Sequence, residues 1–214
     1  MYNPPHFREE RIGVLHRLIQ GHSLATFVTL GADGLIANHL PLVLDPEPAP
    51  LGTLRGHFSR ANAQWRESLP GAPALAIFQG PEAYITPSWY PSRQETGRVV
   101  PTWNYVVVHA HGPFRTFEDP VLLERHLRIL TDRQEAARPC PWSVDDAPAD
   151  FFHDQMKGII GIEISIARLE GKWKVSQNRS IIDRAGVVEG LQASGNPAHK
   201  AMADLVSAKD RSGK

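Results

Sequence analysis

The hydrophobic pattern of the chain is one of short β-type runs, and its clearest example lies in the C-terminal third. There, isoleucines at every second position from Ile160 to Ile166 alternate with Gly161, Glu163 and Ser165. A period of two places every second side chain on the same face of a strand. The pattern therefore predicts a half-buried strand whose isoleucine face lines the core.

Other short apolar runs predict a sheet of many strands. Residues 24–30 and 35–44 flank the stretch from Gly31 to Gly34, which predicts a hairpin with a Gly-containing loop. Further strands are predicted near 51–57, 74–78, 83–86, 103–111 and 114–117, separated by glycine and proline. This density of short strands favours a barrel.

Helical spacing of apolar residues predicts peripheral helices around these strands. The first covers Phe7 to Ile19, a short one starts at Ser59, and another follows the cap pair Asp119 and Pro120. Two more are predicted near 181–191 and 198–208. We see no linker that would separate two cores, so we expect a mainly β, α+β fold in a single domain over residues 1–214.

Composition and charge narrow the classes of function. Lys plus Arg and Asp plus Glu each count 23, so the net charge is zero. The charge therefore does not support binding to DNA, although a DNA partner is not excluded. The single Cys140 cannot form an intramolecular disulfide, and the N-terminus has no secretory pattern, so we expect a cytoplasmic location. No apolar run reaches the ~20 residues of a membrane span, so no membrane partner is expected.

Three segments carry candidate chemistry. At the predicted helix start, Ser59, Arg60 and Asn62 suit a phosphate, although the segment alone favours Ser59 as a simple cap and Arg60 as a solvated side chain. The strand 34–44 holds Asn38, His39 and Pro41, where a proline opens the hydrogen-bond ladder to a ligand or merely marks an edge. The aromatic residues between 84 and 105 suit a planar ligand, a dimer interface or a core.

Other constellations are weaker. A zinc site built from His39, His57, His109 or His111 lacks an HExxH or paired-cysteine spacing, so no metal is predicted. The chain also contains no GxSxG, GxxxxGKS or GxGxxG motif. The sequence therefore does not predict an α/β-hydrolase, a P-loop nucleotide triphosphatase or a Rossmann dinucleotide-binding protein.

Taken together, the runs GLIANHLPL, LRGHFSRANAQW, AIFQGPEAYITPSWY, VPTWNYVVVHAHG and GKWKVSQNR resemble the PaiB-like FMN-binding family. The resemblance implies an FMN-binding split β-barrel with peripheral helices, assembled as a homodimer with FMN at the subunit interface. It implies either a flavoprotein, with an oxidoreductase activity left open, or a transcriptional regulator, as some members are described. Flavin performs the redox chemistry itself, which fits the absence of a catalytic triad.

The resemblance also places residues around FMN. Ser59 and Arg60 match the pair that holds the phosphate in related oxidases, while Ala61 stands where those oxidases carry a lysine, so that Asn62 or a lysine from elsewhere is the expected substitute. The full set of cofactor-binding residues expected from the resemblance and from the segments above is Asn38, His39, Leu40, Pro41, His57, Ser59, Arg60, Asn62, Trp103, Asn104, Lys174, Gln177 and Asn178.

Overall fold

The computed structural model describes residues 1–69 and 71–211 of the 214-residue chain, with side chains up to Ala208. Within them, the strands are β1 Arg8–Glu9, β2 Leu24–Gly31, β3 Gly34–Pro41, β4 Val43–Asp45, β5 Thr53–Ser59, β6 Pro73–Ile85, β7 Thr102–Phe117, β8 Ile159–Ser165 and β9 Arg168–Lys174. The α-helices are α1 Ile12–Gly21, α2 Gln64–Glu67, α3 Ser92–Thr96, α4 Pro120–Glu135, α5 Ala149–Lys157, α6 Ile181–Ala193 and α7 Pro197–Arg211. No helix within the described residues is long and apolar enough to cross a membrane.

The strands form one antiparallel sheet with the order β3-β2-β6-β7-β8-β5-β4. Strand β9 pairs with both β1 and β7 outside this path. The helices lie between and after groups of antiparallel strands along the chain. The fold is therefore α+β and mainly β, as the sequence predicts.

The chain forms two compact units, each built from separate segments. The first comprises Met1–Leu18, Gln79–Val108 and the residues from Glu170 onward, and the second comprises Ile19–Phe78 and His109–Leu169. The long strands β6 and β7 contribute residues to both. A single domain over 1–214 stays a prediction.

The second unit has an aromatic and aliphatic core. The ring of Phe27 lies 5.9 Å from that of Phe58 and 5.5 Å from that of Phe114 between centroids. On β8, Ile160, Ile162 and Ile164 are fully buried. The predicted isoleucine face of this strand is therefore confirmed.

In the first unit, β1 pairs with β9, and helices α6 and α7 pack against each other. The buried apolar residues of the two helices are Val187, Leu191, Met202, Ala203 and Val206. Both helices were predicted, near 181–191 and 198–208, and their existence is confirmed.

Several strand boundaries differ from the prediction. The hairpin is confirmed, with Gly31 paired to Gly34 around a two-residue loop and Gly34 at a φ of 121°, which glycine adopts readily. The strand predicted over 35–44 is broken after Pro41, since proline cannot donate to the ladder, and its end becomes β4. The pairs of strands predicted at 74–86 and 103–117 are instead two long continuous strands, β6 and β7.

The helix predicted to start at Ser59 is wrong. Ser59 is the last residue of β5, opposite Ile159 of β8, and the Arg60 N–H still donates to the Gly158 carbonyl at 2.9 Å. The ladder therefore outcompetes the helical start, and only the four-residue helix α2 follows from Gln64. A helix this short offers no N-terminal anion site. A helix N-terminus therefore does not support the predicted phosphate site at Ser59 and Arg60.

Candidate functional site

The two sequence segments singled out around β3 and β5 lie side by side in the second unit. A glycine makes this approach possible, since a Cβ at Gly56 would lie 2.6 Å from Leu42 Cδ2 and 3.1 Å from the Pro41 carbonyl oxygen. Both distances are shorter than ordinary contacts, so only glycine fits without movement of the neighbours. Gly56 thus places the end of β3 against the middle of β5.

A buried glutamine fixes β3 from behind. Gln64 is 1% exposed, and its Nε2 donates to Thr29 Oγ1 at 2.9 Å and to the Ile36 carbonyl at 3.1 Å. Its Oε1 accepts a hydrogen bond from Asn38 Nδ2 at 2.8 Å. The side chain of Asn38 is therefore held in one orientation, and Gln64 is a positioning residue that the sequence analysis missed.

Strand β3 also presents an open edge. It is the terminal strand of the sheet and pairs only with β2 among the described strands. Along it, His39 is exposed, Leu40 is buried and Pro41 is half-buried. No described strand pairs with the outer edge of Asn38–Pro41, and contact of these backbone groups with a ligand stays a prediction.

His57 on β5 forms a pair with a histidine that the sequence analysis did not select. His57 Nδ1 lies 3.1 Å from Nε2 of His126, which is 3% exposed on α4. Burial lowers the pKa of both imidazoles, and the nearby charges of His57 and Arg55 help bring the pKa of His126 to about 4. At neutral pH both rings are uncharged, so one ring N–H donates to the lone pair of the other.

This pair should make the protein sensitive to acid. The pKa of His126 is about 4 in the folded chain against an ordinary value of 6.5, so the unfolded chain binds more protons between these pH values. The free energy of unfolding is therefore complete above pH ~6.5 and falls toward pH ~4, by up to about 3 kcal/mol from this group. Urea unfolding at several pH values measures the loss.

The variant His126→Gln should flatten the acid slope even where it lowers stability at every pH. The control variant His39→Gln removes an exposed imidazole from the same unit and should keep the original slope. An unchanged slope in His126→Gln would show that other groups cause the acid loss.

The predicted phosphate residues are already engaged within the chain. Arg60 Nε donates to the Lys157 carbonyl at 2.8 Å, and its Nη2 donates to Glu118 Oε2 at 2.7 Å. Ser59 Oγ accepts from the Ala61 N–H at 3.3 Å, and Asn62 Oδ1 accepts from the Gln64 N–H at 3.0 Å. Ser59 and Arg60 lie at the solvent-facing end of β5, and their contact with FMN stays a prediction.

The remaining predicted residues cluster in the first unit. Asn104 is 1% exposed and donates through Nδ2 to Ser176 Oγ at 2.8 Å. Lys174 Nζ donates to the Trp103 carbonyl at 2.7 Å and to Thr102 Oγ1, and burial lowers the pKa of this lysine. The structure thus brings Trp103, Asn104 and Lys174 together, as the sequence predicts for two separate segments.

The turn after β9 completes this cluster. Gln177 Oε1 accepts from the Val175 N–H at 2.8 Å, its Nε2 donates to the Trp173 carbonyl, and Asn178 is exposed. Ser176 adopts a φ of 62°, which is uncommon for a residue other than glycine. The two short-range bonds of Gln177 hold this turn in shape.

One buried acceptor of the cluster has no partner within the described chain. Asn104 Oδ1 is buried and accepts no hydrogen bond. A buried unsatisfied polar atom costs about 1–3 kcal/mol, so it calls for a donor from water or a ligand. Asn104 is therefore the predicted site residue with the clearest unused binding capacity.

The four histidines considered for zinc do not form one site, because only His109 and His111 lie together. His109 and His111 share a face of β7 with their ring centroids 6.1 Å apart, as the strand period requires. His39 and His57 lie on other strands, and no candidate metal cluster in the described part of the chain includes either.

Comparison of the sequence with known proteins shows similarity along most of the chain. The family model FMN_bind_2, described as "Putative FMN-binding domain", matches residues 1–168. The "Protease synthase and sporulation protein PAI 2" of Bacillus subtilis is 36% identical over 209 residues, which cover 98% of both chains. An uncharacterised protein of Emericella nidulans is 34% identical, with 92% of this chain and 93% of the relative covered.

Solved structures share the fold at low sequence identity. The FAD and heme binding protein of Mycobacterium smegmatis has a TM-score of 0.57 at 17% identity, with 78% of this chain and 73% of that chain covered. The flavocytochrome Anf3 of Azotobacter vinelandii also has a TM-score of 0.57, at 11% identity, with 78% and 69% covered. The fold is thus the split β-barrel of flavin-binding proteins.

Proposed function

Because the chain belongs to the FMN-binding family whose model covers residues 1–168, with FMN as its cofactor, we propose that it is a PaiB-type flavoprotein with a redox function on an unidentified substrate. The observation that carries this proposal is the open edge of β3, fixed from behind by Gln64. A rigid strand with free backbone donors and acceptors suits the polar edge of a flavin ring.

The residues present fit FMN. The outer edge of Asn38–Pro41 supplies backbone groups for the ring. Arg60, whose side chain is 38% exposed, supplies positive charge for the phosphate. When bound, FMN supplies hydride or single-electron transfer.

The chain's own residues would position the flavin and would not take part in covalent chemistry. Gln64 holds Asn38, and the buried Leu40 anchors β3 in the core, so the strand edge is preorganised. The His57 and His126 pair adds no charge of its own to β5 at neutral pH. Preorganised polar groups of this kind tune a cofactor without taking part in covalent chemistry.

This proposal is tested by the flavin that the protein carries. The purified protein should be yellow and should release about one FMN per chain on denaturation, identified by mass. A redox function also requires that the bound FMN accepts electrons from a donor and passes them to an acceptor, which the absorbance of the flavin measures under anaerobic conditions. A bound FMN that nicotinamide and chemical donors cannot reduce would contradict a redox role.

We also propose that the protein is a homodimer. On the outer face of β2 and β3, Leu24 is 65% and Leu35 is 77% exposed, and Leu30, opposite Leu35 in the register, is 41% exposed. Leu30 and Leu35 are cross-strand neighbours, and Leu24 lies on the same face at the other end of β2. Exposed apolar side chains on one sheet face are of the kind that marks an interface. A second copy of the chain would cover it.

Leu35→Asp should therefore convert the dimer to a monomer, because it places a charge in the apolar surface. Val121→Asp is the matched control, since Val121 is 74% exposed on α4, a helix that is not part of this sheet face. Sedimentation velocity at micromolar concentration measures both variants. A native protein that sediments as a stable monomer would contradict the proposal.

The alternative function, a transcriptional regulator, has less support. The zero net charge gives no general attraction to DNA. A footprint on DNA that persists at physiological salt would favour it. A cytoplasmic location remains part of the proposal, and the exposed free Cys140 suits a reducing compartment.

A further inference from the structure

A cavity of about 370 Å³ lies in the second unit between α4 and the strands β4, β5, β7 and β8. None of the residues predicted to bind FMN lines it. Its volume falls within the range of small-molecule sites. Its lining therefore needs an explanation of its own.

The cavity carries an excess of positive charge. Four arginines line it together with two carboxylates, those of Asp45 and Glu163. Arg55 Nη1 donates to Asp45 Oδ2 and Arg55 Nε donates to Glu163 Oε2, both at 2.7 Å, while Arg115 Nη2 donates to Glu163 Oε1 at 2.7 Å. The carboxylates thus already have partners, and two positive charges remain uncompensated.

Protonation does not change this balance at neutral pH. Burial opposes ionisation of Glu163, but the guanidinium groups of Arg115 and Arg55 together hold its pKa below the ordinary value. The hydrogen bond from Arg55 lowers the pKa of Asp45. His126, which lines the same cavity, stays neutral.

Two of the arginines have donors to spare. Arg133 uses Nη1 for the Leu44 carbonyl at 3.0 Å, and Arg125 donates no hydrogen bond to any described residue. A guanidinium carries five N–H donors in a planar fork that matches a carboxylate or a phosphate. Arg125 and Arg133 can therefore accept an anion without breaking an existing pair.

The rest of the lining is apolar. It consists of Val43, Leu44, Phe117, Leu122 and Ile129. An apolar wall beside unpaired guanidinium groups suits a ligand with a charged head and an apolar body. The head would bind the guanidinium groups, and the body would pack against the apolar side chains. A fully hydrated inorganic ion would leave this wall exposed to water.

We propose that this cavity binds a small organic anion, a carboxylate or phosphate group on an aromatic or branched aliphatic body, at a site separate from that of FMN. Arg125 and Arg133 hold the head group, and Phe117, Leu122 and Ile129 pack against the body. The proposal does not depend on the redox function, because none of these residues is assigned to the flavin.

The test uses the FMN-saturated protein and isothermal titration calorimetry. Phenyl phosphate and benzoate distinguish the two head groups, and benzyl alcohol is the neutral control for the apolar body. We expect one site per chain for at least one of the anions, no binding of benzyl alcohol, and weakening by added salt. Arg125→Gln should weaken binding about 10-fold, the lower end for a charge-assisted hydrogen bond at an exposed side chain.

Arg128→Gln is the matched control, since it removes the same charge from α4 at a residue that does not line the cavity. An equal loss in both variants would show only a general electrostatic effect and would overturn the assignment. Absence of binding by either anion would overturn it too. Displacement of the bound anion by FMN added to flavin-free protein would show that the cavity belongs to the flavin site.

Discussion

Replacing Arg60 by alanine is expected to raise the dissociation constant of FMN by roughly 10- to 150-fold. A charge-assisted hydrogen bond contributes about 1.5–3 kcal/mol, and the FMN phosphate is dianionic. Riboflavin lacks the phosphate, so it should bind the native protein and the variant almost equally. Fluorescence quenching with both flavins measures the difference.

The structure adds a second variant to this test. Because Glu118 holds Arg60 Nη2 at 2.7 Å, Glu118→Gln should free the guanidinium and tighten FMN binding by up to about fivefold, the value of an exposed ion pair. If Arg60 serves only the contacts with Glu118 and Lys157, neither variant should change the affinity for FMN. An equal loss for riboflavin and FMN in Arg60→Ala would mean that Arg60 supports the ring or the fold.

The variant Gln64→Leu should lower the free energy of unfolding by about 2–4 kcal/mol. Leucine is of similar size, but it leaves Asn38 Nδ2 without its acceptor and the buried Thr29 hydroxyl with only its hydrogen bond from Ser68, and buried polar groups are costly to leave unpaired. In a chain of this length, the melting temperature should fall by roughly 5–15 °C. Calorimetry on the flavin-free protein measures the effect without a contribution from the ligand.

Gln134→Leu is the control for this substitution. Gln134 is exposed on α4 and donates one hydrogen bond, to Ser23 Oγ. It should change the melting temperature by no more than a few degrees. A similar small change in Gln64→Leu would show that water replaces the lost partners and that Gln64 does not fix β3.

The fold could be predicted from the sequence where the local hydrophobic pattern and the tertiary structure agree. The alternating isoleucines of β8 and the glycines around the β2–β3 loop required nothing beyond their neighbours in sequence. The helix at Ser59 failed because its residues suit a cap, while the competing ladder comes from Gly158 and Ile159, about 100 residues away. Local signals do not report such a partner.

The residues of the candidate site could be predicted only in part, because local sequence does not identify partners that are distant along the chain. The segments around Asn38 and Asn104 were selected because polar residues are unusual in apolar strands. Gln64 gave no such signal, since a glutamine after Asn62 looks like an ordinary surface residue. His126 had a signal that was not used, because it lies three residues after Leu123 on the apolar face of α4 and is therefore expected to be buried.

The interleaving of segments in the two units has a consequence for synthesis on the ribosome. The second unit lacks β8 until residues 159–165 have left the exit tunnel, and the first lacks α6 and α7 until the residues after Glu170 have followed. Neither unit can complete its core as an early N-terminal piece, so the exposed strands β2 and β3 must wait for most of the chain. Chaperones that shield nascent strands should therefore raise the yield of this protein more than that of one whose domains follow one another in sequence.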